Sequence, residues 1–223
     1  MAKIEHAKGR DSSTGPSGYE RLLGNAQLGQ LISKCHATVI SSGNGLEAIL
    51  ENKVKSKVRD TSGIAIGSIN KQMRVFKGIK IDSDGKKHDV GVDVVIVKHG
   101  KVKLIELKDG DVFDVKKIAG EVEALKKAKK YLVDSGQFKE EDVSIHFCSF
   151  NQESKDQIYR GAKSLIPQGS AMMGSEICEL LEIGSYEEVI RERRGEQPAN
   201  LEYFLTELIK IPAVKQRLRE LLR

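Results

Sequence analysis

The chain has 223 residues, 39% of them hydrophobic and 31% charged, a make-up that fits a folded globular protein and excludes a disordered or fibrous one. No apolar run approaches the roughly 20 residues that span a bilayer, and the first residues lack the apolar centre of a secretory signal. Cys35, Cys148 and Cys178 are too scattered for a disulfide framework or a zinc site, so a cytoplasmic protein with reduced thiols is expected, and a net charge of +5 favours an anionic partner.

Residues 9–18, GRDSSTGPSG, are rich in Gly, Ser, Thr and Pro and are expected to form a mobile arm or loop. From Tyr19 to about Ile40 the apolar spacing is helical, carried by Leu22, Leu23, Leu28, Leu31 and Ile32. Ser41 to Gly45 reads as a break. Leu46 to Val58 is a second predicted helix, with Leu46, Ile49, Leu50 and Val54 on one side and Glu47 beside them. Lys53, Lys55, Lys57 and Arg59 close that helix; they are placed to meet phosphates, and equally suit the negative end of a helix dipole.

Gly63 to Gly67 reads as a small-residue connector and Met73 to Ile81 as a strand, closed by the turn Asp82-Ser83-Asp84-Gly85. Two apolar runs follow, GVDVVIV and KVKLIEL, joined through a natural turn at His99-Gly100. Val115 to Val133 is a long helix with Ile118, Val122, Leu125, Ala128 and Leu132 on its apolar face; its lysines, Lys116 to Lys130, read as a solvated face. Val143 to Phe150 is a buried strand in which Cys148 alternates with inward residues. Asn151 and Gln152 end it; their amides suit base edges, and Asn151 equally suits the N-cap of a following helix. Met172-Met173 falls in an expected loop, for packing or for wedging into a groove. The remainder is helical, with a capping box from Ser185 and Glu188 and an amphipathic stretch from Asn200 to Leu222 interrupted at Pro212.

Three charges sit inside the apolar hairpin: Asp93, Glu106 and Lys108. An antiparallel pair turning at His99-Gly100 sets Asp93 opposite Glu106, and Lys108, two residues on, shares their face. Opposed carboxylates repel unless a cation lies between them, and oxygen ligands suit a hard divalent ion such as magnesium. A lysine on the same face can then orient or activate a water, or neutralise charge developing on a phosphate. Acid-x-Lys occurs five times in the chain, so the tripeptide alone says little, and a solvated hairpin would also carry Asp, Glu and Lys. The context separates this copy: it ends an apolar strand, an acid lies at the matching register, and a helix and another strand follow. Asp109, Asp111 and Asp114 either add charge near a cation or form a polar loop and helix start.

The order helix, three-stranded meander, crossover helix and parallel strand, with these three charges, resembles the PD-(D/E)XK nuclease superfamily and, within it, the type II restriction endonucleases. The resemblance implies an α/β fold (an α+β mixed sheet) with a restriction-endonuclease-like core at about 44–153 of a single nuclease domain, 1–223, preceded by an N-terminal arm and helix (1–43) and followed by a helical region (154–223). It implies that Asp93 and Glu106 hold the metal with the backbone carbonyl of Leu107, that Lys108 is the catalytic lysine, and that Glu47 is the glutamate many members carry on the first core helix. The cofactor implied is Mg2+, with Mn2+ as a substitute and Ca2+ supporting binding without turnover. The partners implied are double-stranded DNA and a second copy of the chain in a homodimer, with no membrane and no organic cofactor. Val92 stands where the family often has proline, and Asp89 rivals Asp93. A junction-resolving or repair nuclease, a DNA-binding protein with an inactive nuclease-like core, and a module that binds acidic proteins are the alternative readings.

Overall fold

The computed structural model describes residues 2–10, 13, 15–57, 65–69, 75–76, 79–80, 92–110 and 114–223. The chain divides into two compact units, one from Met1–Gly45 with Glu187–Arg223 and the other Leu46–Tyr186.

In the first unit, helix α1 (Gly18–Leu23) starts where the Ser17 hydroxyl accepts the Glu20 N–H at 3.0 Å and ends at Gly24, whose positive φ of 63° closes the turn. Helix α2 runs without interruption over Ala26–Lys57 and contributes residues to both units. The break expected at Ser41 to Gly45 is therefore absent, although the boundary between units falls at its end. Ser, Asn and Gly each cost a helix up to about 1 kcal/mol relative to Ala, a weak preference that a long cooperative helix overrides. The N-terminal segment is tied down near its start: the Ile4 N–H donates to Asn200 Oδ1 at 2.9 Å, and Asn200 Nδ2 donates to the Ala2 carbonyl at 3.1 Å.

The second unit carries the described strands. They are β1 (Ala65–Ile69), the short strands β2 (Val75–Phe76) and β3 (Ile79–Lys80), β4 (Val92–Lys98), β5 (Lys101–Lys108), β6 (Val143–Ser149) and β7 (Ala171–Met173). Five of them form one mixed sheet in the order β1-β4-β5-β6-β7, antiparallel as far as β5 and parallel beyond it. Helix α3 (Val115–Asp134) makes the crossover from β5 to β6, as a parallel pair requires. Helix α4 (Lys155–Gly161) lies between β6 and β7, and α5 (Gly174–Leu181) follows β7.

Two expectations about strands are corrected. Residues 63–67 were expected to connect, yet Ala65–Ile69 is the first strand of the meander, because pairing with β4 rather than its own composition makes it a strand. Met73 to Ile81 is not one strand: Val75 pairs with Lys80 and Phe76 with Ile79, so the stretch doubles back on itself outside the main sheet. The turn at Asp82 to Gly85 lies outside the described residues, as does Asp89.

The core lies between the sheet and α3. Val95, Val102, Leu104 and Phe147 meet Ile118, Val122, Leu125, Ala128 and Leu132, whose spacing places them on one stripe of the helix. Asp114 caps α3, its carboxylate accepting the Lys116 N–H at 3.1 Å. The lysine-rich face is solvated and paired with neighbouring acids, Lys126 with Glu123 and Lys130 with Asp134. Beyond the core, α6 (Tyr186–Arg194), α7 (Gln197–Lys210) and α8 (Pro212–Leu221) complete the chain, with Pro212 opening α8 as a proline at a helix start can. No described helix is long and apolar enough to cross a membrane.

The turn joining β4 to β5 holds His99 at φ 50° and Gly100 at φ 76°, the two left-handed residues of a tight hairpin turn. A methyl group added at Gly100 would meet nothing within 4 Å, so its cost is backbone strain alone. Gly100→Ala is expected to destabilise the chain by about 1 kcal/mol, read as a lower denaturant midpoint at unchanged slope; an unchanged midpoint would show that the turn relaxes at no cost.

Candidate active site

The β4–β5 ladder pairs Lys98 with Lys101 and continues without a shift to Val94 opposite Ile105. One step further lie Asp93 and Glu106. There the Asp93 side chain reaches across the strands, its Oδ2 accepting the Leu107 N–H at 2.9 Å. On the other side of β4, the pairing with β1 shifts register between Gly67 and Ile69, beside the strand end that carries Asp93; such irregularities re-aim side chains.

Along β5, Glu106 and Lys108 follow Val102 and Leu104 on the face that packs against α3. Lys108 Nζ donates to Glu106 Oε1 in a close contact and to Glu121 Oε1 of α3 at 3.0 Å. Glu106 is buried, 7% exposed. The other oxygen of Glu121, Oε2, is buried and has no hydrogen-bond partner among the described residues. Glu47 of α2, half-buried, lies within electrostatic reach of both Asp93 and Lys108.

Two carboxylates, Glu106 and Glu121, thus hold one ammonium, with Glu47 in its electrostatic reach and Asp93 acting on Glu106 and Glu47. Burial makes the repulsion between neighbouring carboxylates strong. Burial, then the charge of Asp93, pushes the Glu106 carboxyl up to about 8 against the opposing pull of Lys108. Glu47 rises to about 7 through burial, then Asp93 and Glu51, again opposed by Lys108. Burial alone would lower Lys108, but its hydrogen bonds and ion pairs with Glu106 and Glu121 outweigh that and raise it above its ordinary value. At neutral pH Lys108 is an ammonium.

This donor set suits a hard divalent cation: all oxygen, net negative, with two acids driven toward protonation where no second cation shares the site. Among the described residues, however, no three acidic, His or Cys side chains are gathered in a ligand arrangement, and Glu106 Oε1 is taken by Lys108. Asp93 and Glu106 fit a cation by charge and donor type, not as a closed shell.

Other sequence-derived candidates fall elsewhere. Asn151 is not a helix cap: Ser154 caps α4 in a capping box with Gln157, while Asn151 Nδ2 donates to the Asp109 carbonyl and, at 3.1 Å, to Asp109 Oδ1. The helix starts three residues later than expected because Ser154 supplies a reciprocal pair of bonds with Gln157. The Gln152 N–H donates to the Ser149 carbonyl at 3.4 Å. Lys53 is half-buried on α2; the side chains of Lys55 and Lys57, and all of Arg59 and Asp111, lie outside the described residues. Met172 and Met173 belong to β7 rather than a loop, and Met172 is buried against the rest of the sheet. Cys148 is fully buried, which pushes its thiol well up.

Glu121 was missed. Its signal was present: it lies three residues after Ile118 and four before Leu125, so an acid interrupts the apolar stripe of α3.

The fold and site define a mixed α/β protein with a buried carboxylate–lysine cluster at a hairpin end. The chain is 36% identical over 234 residues to the type II restriction enzyme HhaII of Haemophilus parahaemolyticus, an alignment that covers 99% of each chain. It belongs to that family of type II restriction enzymes. No family model and no solved structure matches it.

The raised carboxyls have a consequence for stability. A folded-state pKa above the unfolded value holds a proton in the fold, so the stability it contributes is present below about pH 4.5 and is lost as pH rises toward about 8 for Glu106 and about 7 for Glu47. The metal-free protein is expected to lose more melting temperature between pH 5 and pH 8 than its Glu106→Gln variant does. Equal slopes in calorimetric melts would mean that Glu106 is already ionised in the fold.

Proposed function

We propose that the chain is a Mg2+-dependent endonuclease of the PD-(D/E)XK type that hydrolyses phosphodiester bonds in double-stranded DNA at a specific sequence. The observation that carries this reading is the convergence of Asp93, Glu106 and Lys108 at the hairpin end, in a chain related over its whole length to a type II restriction enzyme.

Asp93 and Glu106 would hold the metal together with the Leu107 carbonyl. Magnesium, when bound, supplies positive charge beside the scissile phosphate and the leaving oxygen. Lys108, as an ammonium, donates hydrogen bonds: it orients the attacking water and offsets negative charge gathering on the phosphate. Its raised proton affinity disfavours a role as base, so proton removal falls to solvent or to a neighbouring carboxylate. Glu47, half-buried within electrostatic reach of Asp93 and Lys108, would support a bound water. Mn2+ is expected to replace magnesium, and Ca2+ to support DNA binding without turnover. A homodimer would present one site to each strand of a palindrome, with Lys53 and its neighbours at the phosphates.

Incubation with magnesium and a long duplex, followed by sequencing of the ends, tests the reading directly. Discrete fragments sharing an end sequence support it. Cutting confined to branched or damaged DNA favours a structure-specific nuclease, and binding without cutting an inactive core. Lys108→Ala is expected to lower cleavage by at least about 10³-fold while calcium-supported DNA affinity stays within a few-fold; cutting at the normal rate would sink the assignment. Asp93→Asn should weaken metal binding in calorimetry.

A further inference from the structure

Lys108 has two anchors, and they differ in kind. Glu106 sits two residues away on the same strand face, its Oε1 accepting from the ammonium. It is also the acid a divalent cation would claim, and an oxygen engaged by a cation is a poorer acceptor for a lysine. Glu121 stands apart from that competition. It projects from α3, whose Ile118 and Leu125 on either side are fully buried, so its backbone is fixed by packing rather than by the site. Its Oε1 lies 3.0 Å from Lys108 Nζ.

The second oxygen of Glu121 adds an independent observation. Oε2 is buried and unpartnered among the described residues, although a buried carboxylate placed only for stability would be expected to have both oxygens satisfied. An acid kept in this state on an otherwise apolar stripe is better explained by a role at the site than by support of the core.

We propose that Glu121 is a positioning residue for Lys108, holding the ammonium over the reacting phosphate when Glu106 turns to the cation. The inference rests on the nuclease reading above. A lysine stem has four rotatable bonds and a large rotamer entropy, so with Glu106 engaged elsewhere Glu121 is the hydrogen-bond partner that remains to Lys108 Nζ among the described residues. Glu121 touches neither substrate nor metal in this role; it acts through Lys108.

The test compares wild type with Glu121→Gln, which keeps shape and removes charge. For cleavage, kcat is expected to fall about tenfold or more with KM for DNA within about twofold, because positioning affects the reacting complex rather than DNA affinity. For the positioning itself, protein carrying 15Nζ-labelled lysine is examined by NMR with calcium and duplex DNA, the Lys108 signal being assigned by its loss in Lys108→Ala. A slowly exchanging ammonium signal is expected to persist in wild type and to disappear in Glu121→Gln. A variant that cuts at the wild-type rate, one whose loss lies wholly in KM, or a signal that survives the substitution overturns the proposal. If Glu121→Gln melts out, Glu121→Asp takes its place: it retains the charge on a shorter stem, so a reduced kcat with unchanged KM supports the proposal and a wild-type rate overturns it. If the wild-type chain cuts no DNA, the nuclease reading falls and this proposal with it. Wild-type cutting beside an unaffected variant removes this proposal alone.

Discussion

The antiparallel pairing of β4 with β5 decides which side chains share a face, because strand side chains alternate and a slip of one residue would exchange every inward position for an outward one. A tight turn at His99 and Gly100 fixes that pairing from Lys98 opposite Lys101 to Val94 opposite Ile105. The same alternation that buries Val102 and Leu104 under α3 carries Glu106 and Lys108 onto that face at the strand end. Core and site are therefore one pattern: the apolar half holds the register, and the register delivers the charged half.

The charged half is unfavourable for the fold taken alone. Glu106 is buried near Asp93, and burial drives both it and Glu47 toward protonation. Lys108 relieves part of this by pairing with Glu106 and Glu121 at once. Stability here rests on the apolar contacts among Val95, Leu104, Ile118, Leu125 and Phe147, which bury apolar area without comparable cost. The cluster is tolerated because those contacts sit immediately beneath it.

Strong periodicity was readable in the sequence; pairing partners were not. The helix around Ile118 to Leu132 and the strand from Val143 announce themselves, since each carries a full apolar face. Ala65–Ile69 did not, because two isoleucines three residues apart among Ala, Gly and Ser show no alternation of their own. Three-residue β7 is too short for alternation to register, yet it pairs with Phe147 to Ser149. Val75 to Lys80 looks like one strand to any count of β-formers, although the chain folds it against itself. At the site, the acids and lysine of the hairpin were legible because their spacing is local. Glu121 was not recognised, because its partner is thirteen residues away and its meaning comes from a helix crossing over the sheet.

Just past Lys108 the chain is cross-braced. Ser149 Oγ donates to the Gly110 carbonyl at 2.9 Å, Asn151 holds Asp109, and the Phe150 N–H donates to the Lys108 carbonyl at 2.8 Å. The main chain where β5 ends is thus fastened to the end of β6 on consecutive residues, and a hinge has no place there. Motion that accompanies ligand binding at residues 108–110 is therefore expected to be carried by side-chain rotation rather than by a swing of the main chain.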